Sequence, residues 1–318
     1  MINLSAEHLI SQLYKEGPNV SLKEFPTWAL EQLRQVIPFD GAIWGTGHIS
    51  SQNFHTQTSV DVSDEIFCQL IKHLDINPIF DKLTQNKGQA IDMSSVVKDS
   101  EFYRSALYLK CFKPFGIERI LSSIHLDERS GIFTLLTLYR FNREHCFTEQ
   151  EQSLQNRLLY HLLSSASHRQ FNEITQKTIP YSQENRCALC DEKGIYHSVT
   201  QKFLDILDAN FTPTPTQRFP LDFRTFEGNF SHKNLQFEVV PCGELYKISV
   251  RARNQLDELT DRERQVATLV CQSKTFKEVA KSLELSPSTV SNHVYRIYLK
   301  LGINTRSELN ALIKHYRE

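Results

Sequence analysis

Along residues 286–302, SPSTVSNHVYRIYLKLG, the apolar side chains Val290, Val294, Ile297 and Leu301 fall within about 60° of one another on a helix turning 100° per residue. The opposite direction carries Ser288, Asn292, Tyr295 and Arg296, with Ser291 on the flank. Such a helix has one face to bury and one to offer. Ser286 suits its N-cap, Pro287 its first turn, where the missing N–H costs nothing, and Gly302 the left-handed C′ position, with Ile303 as the accompanying apolar contact. Three more helical patterns surround it. Thr260 and Glu263 form a capping box ahead of Val266, Leu269 and Val270, and Thr275 caps a short helix carrying Val279, Ala280 and Leu283. Thr305 and Glu308 form a further box ahead of Leu309, Leu312, Ile313 and Tyr316. Two of these helices, joined by a short turn around Leu285, predict a helix-turn-helix over about 276–295, whose second helix fits the ~12 Å major groove of B-DNA.

The patterning before residue 256 is different. Residues 21–36 open with a Ser21–Glu24 capping pattern and place Trp28, Leu33 and Val36 at helical spacing, ended by Pro38. GAIWGTGHI (41–49) reads as a strand, and residues 117–125 and 132–141 as an antiparallel hairpin around DERSG. Thr148–Ala166 returns to helix through Leu154, Leu158, Leu159, Leu162 and Leu163. Helix, strands, hairpin and helix predict an α+β domain over residues 1–175. Residues 176–186 read as a linker. Residues 187–252 follow as strand–turn–strand, a short helix, a proline-rich loop (FTPTPTQRFP) and a second hairpin, a smaller α+β unit ahead of the helical residues 256–318.

A chain of 318 residues with 40% hydrophobic and 23% charged side chains is an ordinary folded protein of more than one domain. The net charge of −1 is unevenly spread. Residues 256–318 hold ten Lys/Arg against eight Asp/Glu, +2, which leaves −3 for the remainder; within 285–306 stand Arg296, Lys300 and Arg306 with no carboxylate. A cationic patch on a near-neutral protein suits a polyanion. The first residues lack the basic n-region and continuous apolar run of a signal peptide, and no run reaches the ~18 apolar residues of a membrane span. Seven scattered cysteines do not read as a disulfide framework, so a cytoplasmic location without membrane contact is expected.

The segments LTDRERQVATLV and FKEVAKSLELSPSTVSNHVYRIYLKLGINTRSEL resemble the LuxR-type (NarL/FixJ) DNA-binding domain, in which "LT-x-RE-x-x-V", "KE-[IV]-A", "S-x-x-TV-x-x-H" and "KLG" recur in this order. The resemblance implies an all-α four-helix domain that binds double-stranded promoter DNA, generally as a homodimer, with RNA polymerase as a further partner. It places phosphate contacts at Thr275, Lys277 and Thr289 and base readout at Ser291, Asn292 and Tyr295, with His293 and Val294 as scaffold; Ser288, Arg296 and Lys300 complete the expected DNA-binding set. Three positions depart from the pattern: Ser273 replaces a usual glycine, Phe276 an asparagine and Ser291 a frequent lysine. The last removes a charge from the groove-facing helix, which predicts a shallower salt dependence and a base preference resting on the Asn292 amide.

The front of the chain resembles a GAF-type sensor through PFDGAIWG, EFYRSALYLKCFKPFGIERIL, LLTLYRF and CFTEQEQSLQNRLLYHL, and residues 187–252 resemble a short PAS-like unit. These resemblances imply a small-molecule effector without naming it. An acyl-homoserine-lactone domain would show Trp-x-x-Tyr and Asp-Pro, which NPIFDKL echoes only in part; a phosphoacceptor receiver would need paired acids that the N-terminus lacks. No HExxH, GxSxG or Walker loop is present, so no enzymatic activity and no cofactor are expected; a front region that only dimerises or contacts proteins, or a GAF-like enzyme, are the alternatives.

Three further candidates have a plain structural reading beside the functional one. Cys187 and Cys190 form a lone CxxC in a strand, where i and i+3 point to opposite faces, so ordinary strand cysteines are favoured; a zinc site would have to draw on Cys242 and His197. GTGHIS (45–50) has two of three dinucleotide-motif glycines, but no helix follows. Trp44, Phe80, Tyr103 and Phe115 read as core before they read as a ligand pocket. The stripe of the leucine helix 154–166 includes adjacent pairs and is wide, which favours packing within its own domain over sharing with a second subunit, although it stays a candidate dimer contact; Leu309, Leu312 and Ile313 are the other candidate dimer surface, as the resemblance implies.

Overall fold

The structure is a computed structural model that describes residues 5–51, 53–176, 186–213, 217–225 and 228–315. Most of the expected linker and Tyr316 lie outside the described residues. The chain divides into two compact units: Met1–Ile179 with Ala188–Val199 and Leu207–Asp222, and Pro180–Cys187 with Thr200–Ile206 and Phe223–Glu318.

The first unit opens with helices Ala6–Lys15 (α1) and Phe25–Arg34 (α2). Strands Gly41–His48 (β1) and Asn53–Val60 (β2) follow, then helices Glu65–Lys72 (α3) and Pro78–Gln85 (α4). A short strand Ala90–Asp92 (β3), the single turns Met93–Val96 (α5) and Asp99–Phe102 (α6), and a π-helical turn Tyr108–Phe112 lead to the hairpin Arg119–Leu126 (β4) and Ile132–Arg140 (β5). Helix Glu149–Gln176 (α7) comes next. The sheet is antiparallel in the order β2-β1-β5-β4-β3, with Ser122 opposite Thr137 and Trp44 opposite Leu136.

Both faces of this sheet are covered, which is why β1, β4 and β5 read as almost continuous apolar runs rather than as alternation. On one face, Ala42, Trp44, Leu121, Leu136 and Leu138 pack with Leu9 and Leu13 of α1, Leu30 and Leu33 of α2, and Leu158, Leu159 and Leu162 of α7. On the other, Ile43, Ile120, Ile124 and Tyr139 meet Phe67 of α3, Ile79 and Leu83 of α4, and Phe112. The helix α7 thus spends its leucines inside its own unit. Strands Cys187–Cys190 (β6) and Tyr196–Val199 (β7) form the predicted hairpin, and helix Gln201–Asn210 (α8) contributes to both units.

In the second unit, strands Asn229–His232 (β8), Leu235–Cys242 (β9) and Leu245–Ala252 (β10) pair antiparallel in sequence order. Four helices follow: Asp261–Cys271 (α9), Phe276–Leu283 (α10), Pro287–Leu301 (α11) and Arg306–His315 (α12). Their shared core is Leu259, Val266, Ala267, Val270, Val279, Ala280, Val290, Val294, Ile297, Leu301, Leu309 and Ile313. The α+β class and the helical tail are as the patterning predicts. Burial of Leu309 and Ile313 in this core corrects the expectation that they form a dimer surface; Leu312 alone of the three is only partly buried.

One polar knot fixes the start of α7. Arg140, at the end of β5, donates from Nη2 to Pro38 O (2.7 Å) and Glu151 Oε1 (2.6 Å) and from Nη1 to Cys146 O (2.6 Å), and its guanidinium lies 4.1 Å from the centre of the Phe147 ring. Glu151 Oε2 in turn accepts from Thr148 N (2.8 Å), the capping box of that helix. With both side chains of the Arg140–Glu151 pair mostly buried, replacing Arg140 by methionine leaves a buried carboxylate unpaired. We expect Arg140→Met to destabilise the first unit by about 3 kcal/mol, read as a lower urea midpoint, and Glu151→Gln to recover part of that loss in the double variant.

Candidate nucleic-acid interface

The helix-turn-helix is built by local rules that the sequence carries in full. Thr275 caps α10, its hydroxyl accepting from Glu278 N (3.3 Å) while the Glu278 carboxylate accepts from Thr275 N (2.7 Å). That helix ends at Glu284, which takes a left-handed conformation (φ 54°), and Leu285 N reaches back to Ala280 O (2.9 Å). Ser286 then caps α11, accepting from Thr289 N (3.1 Å), with Pro287 at the first position. Gly302 closes α11 at φ 64°, and Ile303 N donates to Tyr298 O (3.1 Å), the expected Schellman closure.

Burial divides α11 as its periodicity requires. Val290, Val294, Ile297 and Leu301 are buried, whereas Ser288, Ser291, Asn292, Tyr295 and Arg296 are exposed, Tyr295 at 66%. Thr289 and His293 are intermediate, and Thr275 and Lys277 are exposed at the start of α10. Leu299 joins Tyr295 on the exposed face at 65%. No carboxylate occurs anywhere on α11.

Three of the tail's cations are committed to the fold. Lys300 donates from Nζ to Glu263 Oε2 (2.7 Å) and to Glu258 O (3.2 Å). Glu263 is buried and also accepts from Thr260 N (2.8 Å). Burial alone would raise its pKa, but the hydrogen bonds from Lys300 and Thr260 outweigh that and hold it below the usual carboxylate range. Arg306 bonds the carbonyls of Val270 and Lys274, ending α9, and Arg262 bonds Leu283 O, ending α10. Lys277, Lys281 and Arg296 have no acidic partner among the described residues. The acid-free run 285–306 therefore presents one uncommitted cation outward, Arg296, where the sequence shows three basic residues.

The first unit holds a cavity of about 240 Å³ between its sheet and the helices α3 and α4. Its floor is Ile120, Ser122 and Ile124 of β4 with Leu135, Thr137 and Tyr139 of β5. Of the four aromatics considered from sequence, Phe80 lines it; Trp44 packs in the core on the opposite face, and Tyr103 and Phe115 pack beside the cavity-side core. The glycines of GTGHIS have a packing reason. A Cβ on Gly45 would stand 2.5 Å from the Phe54 ring; one on Gly47 would meet the backbone carbonyl of Asn53 on the neighbouring strand first and then the Phe133 ring at 2.6 Å, so the two glycines admit these cavity-lining rings over β1 and Gly47 also admits the close approach of β2.

Cys187 and Cys190 are both buried, and burial pushes their thiols upward, away from reactive or metal-binding thiolates. His197 is stacked on His55, ring centres 3.7 Å apart, and no cluster able to hold a metal occurs among the described residues. Burial, then the neighbouring His197 and His48, push His55 down to about 4.

Residues 257–313 match the family model "Bacterial regulatory proteins, luxR family". Over 50 residues the chain is 48% identical to the spore germination protein GerE of Bacillus subtilis, a stretch that makes up 16% of this chain and 68% of that protein. Over 58 residues it is 45% identical to the transcriptional regulatory protein UhpA of Escherichia coli (strain K12), 18% of this chain and 30% of that protein. A fold likeness extends over 96% of this chain and 94% of the crystallised SdiA of Escherichia coli, at 11% identity and a TM-score of 0.40.

Three outcomes follow from this geometry. Lys300→Met should destabilise the tail by about 2 kcal/mol, because it strips a charged hydrogen bond from a buried carboxylate, and should change the salt slope of DNA binding by much less than one phosphate contact; a urea titration beside a salt titration checks both. Ser273 holds φ 66° without being glycine, so Ser273→Gly should raise the tail's stability by roughly 0.5–1 kcal/mol, the relief of left-handed strain less the added chain entropy. For His55, depressed to about 4 against a reference of about 6.5, unfolding takes up a proton below 6.5, so the first unit's stability should fall as pH drops from 6.5 towards 4. Thermal melts across that window should show His55→Gln losing less than the parent.

Proposed function

The chain belongs to the LuxR family of bacterial regulatory proteins, a DNA-binding transcriptional regulator, and from that premise we propose that α11 reads base edges in the major groove while the residues before it receive a signal. One observation carries the reading: Ser288, Ser291, Asn292, Tyr295 and Arg296 stand exposed on a helix that has no carboxylate, over a stripe that is buried. An acid on that face would be pressed against phosphates. The Asn292 carboxamide can pair bidentately with adenine, Tyr295 and Ser291 lie beside it, and Arg296 supplies the positive charge. Phosphates are held by Thr275 and Lys277 at the start of α10 and by Thr289 near the start of α11, where backbone N–H groups also point outward. Lys300 is left out of this set, because its ammonium is spent on Glu263.

Residues 1–175 and 187–252 form the signal-receiving region and 256–318 the reading head. Two copies of the head, one turn of DNA apart, engage a pseudo-palindrome with half-sites ~10 bp apart or a multiple. The protein acts in the cytoplasm, is not an enzyme, and shifts transcription through promoter DNA and RNA polymerase. No described helix is long and apolar enough to cross a membrane. A signal must favour one arrangement of the dimer over the other in order to regulate, and the cavity under α3 and α4 gives it a place to bind.

The test separates base reading from charge. Asn292→Ala should lose about 1–3 kcal/mol on the preferred site and far less on random duplex. Lys277→Ala should weaken both alike and lower the salt slope by about one unit. Equal losses from Asn292→Ala on both DNAs would refute the assignment; quantitative binding assays at two or more salt concentrations measure all of these.

A further inference from the structure

The cavity in the first unit has a chemical character that narrows its occupant. Its walls are almost wholly aliphatic and aromatic, from Leu70, Ile79 and Leu83 of the helices to Ile120, Ile124 and Leu135 of the sheet. Two buried polar atoms in it lack hydrogen-bond partners among the described residues: the Tyr139 hydroxyl, on a side chain with no exposure, and Asn77 Oδ1, on a residue 7% exposed. The other polar pair of the floor is satisfied, since Ser122 and Thr137 hydrogen-bond each other at 2.7 Å. Leaving a buried polar atom unpaired is unfavourable by ~1–3 kcal/mol, and such atoms beside a vacant space mark where a ligand's polar group would sit.

Charge and size complete the picture. Among the described residues Lys87 is the only charged one lining the cavity, and its ammonium lies 2.5 Å from Glu128 Oε1. An ionised ligand would give up its hydration without gaining a counter-ion in the interior. An apolar cavity of about 150 Å³ takes one benzene ring, so one of about 240 Å³ takes roughly ten non-hydrogen atoms by the same proportion.

We propose that this cavity binds an uncharged, mostly apolar molecule of roughly ten non-hydrogen atoms that carries a hydroxyl or an equivalent donor–acceptor group, the Tyr139 O–H donating to its oxygen and Asn77 Oδ1 accepting its proton. This deepens, and rests on, the reading of the first unit as the signal-receiving region. Large chromophores and charged metabolites are excluded as occupants of the interior.

Three matched probes test the class on the full-length chain without DNA: ethylbenzene, 2-phenylethanol and phenylacetate, each followed by thermal shift and by ligand-observed NMR. The alcohol should bind most tightly and phenylacetate at least tenfold more weakly. Tyr139→Phe should cut affinity for the alcohol about three- to tenfold and leave ethylbenzene unchanged. Leu135→Trp, which fills the space, should abolish binding of all three; should that variant not fold, the Tyr139→Phe comparison still decides. Phenylacetate binding as well as the alcohol, indifference of the alcohol to Tyr139→Phe, or no response to any probe at millimolar concentration would each overturn the proposal. Operator affinity is measured separately: a probe that binds without changing it removes the signalling role and leaves the ligand class standing.

Discussion

A single packing constraint governs the carboxyl-terminal region: Val290, Val294, Ile297 and Leu301 must all leave water together. Each is worth about 1.5–3 kcal/mol on burial, so rotating α11 about its axis would forfeit most of the stability of a small helical domain. Because the stripe fixes the rotation, it also fixes what faces outward, and Asn292, Tyr295 and Arg296 have no choice of direction. The caps then fix the position along the axis. Ser286 and Pro287 set the first turn, Gly302 sets the last, and the bond from Lys300 to Glu263 ties the end of α11 to the start of α9. Specific base reading needs side chains presented on a rigid rod, and the rod here is held by its hidden side.

The same economy explains the charge distribution. A helical domain of this size has several buried helix ends, each with carbonyls that need donors. Arg262 and Arg306 serve the ends of α10 and α9, and Lys300 neutralises a buried carboxylate, so basic residues that look available in a one-dimensional count are consumed in three dimensions. Lys274, Lys277, Lys281, Arg296 and Lys314 make no ion pair among the described residues. Affinity for nonspecific DNA scales with the number of phosphates neutralised, so a count of basic residues in the sequence overstates the charge that a fold of this kind leaves free.

Much of this was legible in the sequence because it rests on local rules. Capping boxes at Thr260 and Thr275, proline at 287 and glycine at 302 are short-range signals, and the structure obeys each one. The strands with apolar runs, β1, β4 and β5, were legible for the same reason. Three strands were not. The edge strand β2, NFHTQTSV, is mostly polar and carries no strong alternation, β3 is only three residues long, and β8 alternates over four; their pairing is decided by neighbours remote in sequence. The tie from Lys300 was not legible because its partner Glu263 lies on another helix, nor was the burial of Leu309 and Ile313, because an apolar stripe looks the same whether it meets its own domain or a second copy.

The cavity was illegible for a further reason: a void is defined by the side chains that fail to meet across it, and no spacing rule reports a failure. The GTG of β1 was the one trace it left. Read as a phosphate-binding turn, that motif required a following helix; read as two places where a strand must stay bare, it requires bulky neighbours that reach over it, and Phe54 and Phe133 do so. Glycine in a buried strand weakens the strand and is retained where something else gains from the space. Here the gain is a sheet surface smooth enough for two rings to form one end of a pocket, while the polar atoms of Tyr139 and Asn77 remain unsatisfied inside it. A core packed for stability alone closes such space and pairs such atoms, and the proposed ligand is what would do both here.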